Sequence, residues 1–83
     1  MVLHLAINER DLRSKIRKQE ICFGGNRTLN IYGTLQCLSG KRIKRENRVF
    51  FASEKEALQY GFRPCGHCMK QAYHLFKAAK ATR

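Results

Sequence analysis

Acidic residues are scarce in this chain, and long apolar runs are missing altogether. Six Asp and Glu stand against 17 Lys and Arg in 83 residues, a formal charge of +11. A surplus of that size favours a polyanionic partner, most often nucleic acid, over charge kept for solubility alone. No stretch approaches the roughly 20 apolar residues that cross a bilayer, so no membrane span is expected. Met1–Ala6 is apolar but too short for the core of a signal peptide, and no charged segment precedes it. The cytoplasm is therefore the expected compartment, where thiols meet metal more often than one another. Internal repeats, linkers and composition shifts are also missing, so residues 1–83 are expected to form one domain. A domain of this length buries a modest core and is often marginal without a metal or disulfides.

Against these absences stand four cysteines and one tight turn, Gly61-Phe62-Arg63-Pro64-Cys65-Gly66-His67-Cys68. Gly66 lets the backbone between Cys65 and Cys68 fold back, and Pro64, the only proline, stiffens the approach. Such a Cys-x-x-Cys knuckle supplies half of a tetrahedral zinc site. Cys37 and Cys22 are the remaining thiols, so the expected ligands are Cys22, Cys37, Cys65 and Cys68. Cys22 and Cys37 stand fifteen residues apart and meet only if a hairpin brings them together. His67 and His74 are alternative fourth ligands, and Cys22 is then a small core residue. Cys-Gly-His-Cys is also the active-site tetrapeptide of thioredoxin-like disulfide isomerases. That fold places its motif early, whereas fifteen residues follow Cys68 here, too few for the rest of such a core.

The coarse pattern is α+β: a small zinc-binding domain with a three-stranded antiparallel sheet flanked by helices. Asn8–Lys18 reads as a helix capped by Asn8, with Leu12 and Ile16 as its buried stripe. Glu20–Phe23 and Leu29–Tyr32 read as strands joined through Gly24, Gly25 and Asn26. A turn centred near Arg27 would set Cys22 opposite Gly33. Val49–Phe51 is a third strand. Ser53-Glu54-Lys55-Glu56 is a capping box that opens a short helix, with Ala57 and Leu58 inward and Gly61 at its end. Met69–Ala79 is helical, with Ala72, Leu75 and Phe76 as its packing stripe. Met1–Ile7 fits either a strand or an arm, with His4 at the surface. Lys41, Arg42, Lys44, Arg45 and Arg48 crowd into eight residues and are the expected contacts to DNA phosphates.

Several of these residues carry a resemblance to a known family. Ile31-Tyr32, Cys37, Arg45-Glu46-Asn47, Val49-Phe50-Phe51, Glu56-Ala57 and Gly61–Cys68 together resemble the N-terminal metal-binding domain of the Ada DNA-repair family. The likeness runs from about Glu20 to Met69 and is most specific at Arg63-Pro64-Cys65 followed by Cys68. It implies that four cysteines bind one zinc. It also implies that one zinc thiolate accepts a methyl group from a methylated DNA phosphate in a single turnover, after which the domain binds DNA more tightly. Cys37, Cys65 and Cys68 align with the family's second, third and fourth cysteines. The first, the methyl acceptor, is replaced by Gly33, so that role is not carried over to this chain. Two readings follow: a zinc-stabilised module that grips the DNA backbone, or a methyl acceptor working through Cys37 or Cys22. The chain leaves no room for the helix-turn-helix or methylguanine methyltransferase domains that accompany this module, so transcription regulation by this chain alone is not expected. A protein-interaction module using Phe50, Tyr60 and Tyr73 is a third class without specific support. A monomer with no small-molecule substrate is expected.

Overall fold

The aromatic run before residue 52 becomes an inner strand of the sheet. In the computed structural model, which describes residues 1–37 and 42–81, β1 (Val2–Leu3), β2 (Phe23–Asn26), β3 (Ile31–Thr34), β4 (Arg48–Phe51) and β5 (Arg63–Pro64) lie in the order β1-β4-β2-β3-β5. All neighbours pair antiparallel except β3 and β5, which run parallel. The α+β class holds, but the sheet is five-stranded and mixed rather than three-stranded and antiparallel. The added strands are two residues each, too short for apolar alternation to be legible in sequence.

Among the described residues three helices frame the sheet. Asn8 caps α1 (Glu9–Arg17), its Oδ1 accepting the Asp11 N–H at 2.8 Å. Ser53 caps α2 (Glu54–Gln59), its Oγ accepting the Glu56 N–H at 3.2 Å. The Glu56 carboxylate reaches back to the Ala52 N–H at 2.7 Å and to the Met1 amino group at 2.9 Å. The Met1 amino group and then that N–H hold it below the usual carboxylate range. Gly61, at φ 84°, ends this segment in the left-handed conformation that favours glycine. α3 (Lys70–Ala81) follows the knuckle.

The hairpin departs from its expected register. Gly24 and Gly25 lie within β2, paired with Gly33 and Tyr32, and the turn comes later, where Asn30 takes φ 56°. Gly33 therefore faces Gly24, not Cys22. The reason is steric. A β-carbon on Gly25 would sit 3.0 Å from the Ile31 carbonyl oxygen and 3.1 and 3.2 Å from the Phe51 and Phe62 rings. Glycine is required there by packing, which in sequence looks the same as a turn.

The two faces of the sheet bury different clusters. One holds Tyr32, Val49, Phe51, Ala57 and Phe62, with Phe51 and Phe62 ring centroids 4.9 Å apart. The other holds Leu12, Ile21 and Phe50, with Val2, Ile7, Ile16 and Leu35 against them. Each fully buried large side chain contributes about 1.5–3 kcal/mol. Three expected positions change. His4 is buried, edge-on to Phe50, with Nε2 3.3 Å from Glu9 Oε1, because the chain turns at His4–Ala6 and sends the ring beneath β4. Leu58 and Leu75 are exposed. α2 packs through Ala57, and Ala72, Tyr73 and Phe76 of α3 are half-buried.

The two strand glycines separate experimentally. Gly25→Ala is expected to lower unfolding free energy by about 1–3 kcal/mol through overpacking. Gly24→Ala, whose β-carbon meets nothing nearer than 3.7 Å, is expected to stay within about 1 kcal/mol of the parent, the cost of a modest change in packing. Denaturant titration of the metal-loaded proteins measures both.

Candidate metal centre

β3 and β5 build the site between them. The Arg63 N–H donates to the Asn30 carbonyl and the Cys65 N–H to the Tyr32 carbonyl, each at 2.8 Å, so the parallel pairing carries Cys65 alongside the middle of β3. Cys37 arrives from the other direction. A turn after β3, closed by the Cys37 N–H on the Thr34 carbonyl at 3.2 Å, brings it back over the strand. Cys68 then completes the knuckle. The Met69 N–H donates to the Cys65 carbonyl at 3.1 Å, which starts the turn into α3.

The ligand atoms of Cys37, Cys65 and Cys68 lie within 4.8 Å of one another, and the Cys37 and Cys65 sulfurs are 3.9 Å apart. Zinc–sulfur bonds of about 2.3 Å in a tetrahedron space thiolates by about 3.8 Å, so the cluster fits zinc. Backbone N–H groups already point at the sulfurs. His67 N–H donates to Cys65 Sγ and Thr34 N–H to Cys68 Sγ, each at 3.4 Å. Such donors stabilise thiolates and orient them. Burial pushes the Cys68 thiol above its ordinary value; the Thr34 N–H opposes this, and the Cys37 thiol adds to it. No disulfide joins any of the four cysteines. When bound, zinc supplies a cross-link between the end of β3 and the start of α3 that the chain does not otherwise possess.

Cys22 is not brought to this cluster. Its N–H pairs with the Phe51 carbonyl at 3.0 Å, and its thiol donates to the Gln19 carbonyl at 3.3 Å. Because the hairpin register moved by two residues, Cys22 extends beyond Phe23, which pairs with Thr34. Neither His67 nor His74 belongs to the cluster either, and both are exposed. Of the basic segment, Arg42, Lys44 and Arg45 are exposed. Arg48 is half-buried and donates through Nη2 to the Ile43 carbonyl at 3.2 Å. Lys41 lies outside the described residues.

A groove of about 400 Å³ runs over the sheet to the sulfurs. Gly24 and Gly33, paired across β2 and β3, lie along it, and Cys37, Cys65, Arg48 and Arg63 line it. Sequence reasoning overlooked Arg63, whose guanidinium stands 5.4 Å from the Tyr73 ring centroid. The signal was present in Arg63-Pro64, but only the β3–β5 pairing shows which way that segment faces. Gly66 has its own reason: a β-carbon there would press on the Tyr73 ring at 3.2 Å.

A five-stranded α+β fold with a buried cysteine cluster at a knuckle defines a small zinc-binding domain. The family model described as the metal binding domain of Ada matches residues 6–71, and the chain belongs to that family. Neither a curated protein nor a solved structure gives a significant match. Among the described residues no helix is long and apolar enough to cross a membrane.

Serine replacements sort the cysteines. Cys37→Ser, Cys65→Ser and Cys68→Ser are each expected to weaken zinc binding by more than about 100-fold, beyond what loss of an outer hydrogen-bond partner does. Cys22→Ser is expected to leave it within about threefold, since no metal bond is lost. Competition with a chromophoric chelator reads both. Because the bound form requires thiolates, affinity in the parent should fall as pH is lowered from 8 to about 6.

Proposed function

We propose that this zinc-stabilised domain binds the phosphate backbone of DNA, as a monomer in a reducing, cytoplasmic compartment. One observation carries the reading. The exposed Arg42, Lys44 and Arg45 lead directly into β4, whose first residue, Arg48, lines the same groove as Cys37 and Cys65. The Arg27 N–H ties the hairpin turn to the Asn47 carbonyl at 2.9 Å, so this basic segment is anchored to the sheet. A net charge of +11 adds long-range attraction to any polyanion. Contacts of this kind fix the position of a duplex without reading its bases. Zinc holds the segment's platform together, and the cations do the binding. Repair by methyl transfer is the family's activity, but the acceptor cysteine is Gly33 here. We therefore assign backbone binding rather than methyl acceptance to this chain.

Fluorescence anisotropy with a labelled duplex tests this across a salt series. The logarithm of affinity should fall linearly with the logarithm of salt concentration, and Arg45→Ala should reduce the slope by about one. Binding that ignores salt, or no binding at low ionic strength, would remove the proposal. Incubation with DNA carrying methyl phosphotriesters should leave every cysteine unmodified by mass spectrometry; one added methyl would restore the repair reading.

A further inference from the structure

We infer that the zinc of this domain takes its fourth ligand from outside the chain, and that this ligand is a small thiol carrying a second, negatively charged group. Every cysteine and histidine of the sequence lies among the described residues, yet only Cys37, Cys65 and Cys68 come within reach of one ion. The Cys22 thiol is engaged with the Gln19 carbonyl. His67 and His74 are exposed and lie outside the cluster. Structural zinc takes four ligands, whereas three protein ligands mark a zinc that accepts an exchangeable one.

The place where a fourth side chain would begin is Gly33. A β-carbon built there lies 2.6 Å from Cys68 Sγ, 3.2 Å from Cys65 Cβ and 4.0 Å from Cys37 Cβ, so all three ligands surround it. Gly33 is at the same time part of the groove lining. The space a side chain at Gly33 would fill is taken by the Cys68 sulfur, so a ligand from outside reaches the cluster by way of the groove of about 400 Å³ that Gly33, Cys37 and Cys65 line, a space much larger than one water needs.

The site's chemistry selects the ligand. Sulfur suits a zinc already held by sulfur better than a hard oxygen donor does. Zinc with three thiolates carries a formal charge of about −1, so a fourth thiolate enters most readily where cations are near. Arg48 and Arg63 line the groove and are placed to hold an anionic group on the same molecule. On binding, the sulfur–hydrogen bond breaks, the proton leaves to solvent and a sulfur–zinc bond replaces one to water; nothing is oxidised. This goes beyond the expectation from sequence that the domain takes no small molecule, and it rests on zinc binding, not on DNA binding.

Cobalt-loaded protein in thiol-free buffer tests it, because the intensity of sulfur-to-cobalt charge transfer counts the sulfurs. Mercaptoacetate should raise the parent's near-ultraviolet band by about one third, from three bonds to four. Cysteamine, with a cationic amine in place of the carboxylate, should need at least about tenfold higher concentration. Cys22→Ser should behave as the parent, because its thiol is engaged with the Gln19 carbonyl away from the cluster. Four-sulfur intensity in the parent before any addition overturns the inference, whether Cys22→Ser lowers it or it varies with protein concentration as a second copy contributes a thiol. So does an unchanged band on adding mercaptoacetate. Failure to take up cobalt at all would remove the zinc site itself, a result distinct from either.

Discussion

Everything in this domain depends on one short parallel pairing, β3 against β5. Two backbone hydrogen bonds hold the Arg63–Cys65 segment along β3, and a turn at the end of β3 returns Cys37 to the same place. A chain of 83 residues has limited apolar surface to bury. Its two clusters lie on opposite faces of the sheet and share no side chain. When bound, zinc would add sulfur–metal bonds through Cys37, Cys65 and Cys68 that fasten the β5 edge and the start of α3 to the rest. β5 alone has two residues and could not hold that edge independently.

Glycine shapes the site as much as cysteine does. Gly25 admits the Phe51 and Phe62 rings, Gly66 admits Tyr73, and Gly33 admits the Cys68 sulfur. In each case a β-carbon would meet its neighbour at 3.2 Å or less. These are close approaches of packed groups, and two of the three set where the sulfurs stand. The Tyr73 ring, held against Gly66, in turn offers its face to Arg63 and, at 5.9 Å, to Lys77. The knuckle, the C-terminal helix and the positive rim are in this way one connected unit.

The cationic surface and the sulfur cluster meet at the groove. Arg48 stands at the point of contact: its guanidinium is tied to the Ile43 carbonyl, and its backbone begins β4, between β1 and β2. An arginine fixed in this manner loses less conformational freedom on gripping an anion than an exposed lysine does. The exposed Arg42, Lys44 and Arg45 contribute field more than geometry.

Much was legible from the residues alone. Caps at Asn8 and Ser53, the left-handed Gly61, the strand before residue 52 and the knuckle at Cys65 and Cys68 are local features, written in a few neighbouring residues and observed where local physics puts them. The charge, and with it the class of partner to test, is a sum over composition. What the residues could not decide was register. Moving the hairpin by two places exchanged Gly24 for Cys22 opposite Gly33 and took one thiol away from the cluster. In the observed register Gly25 lies against the Phe51 and Phe62 rings, a contact between segments more than twenty positions apart. Local sequence carries no record of such a contact, so only the folded chain decides how many sulfurs face the metal.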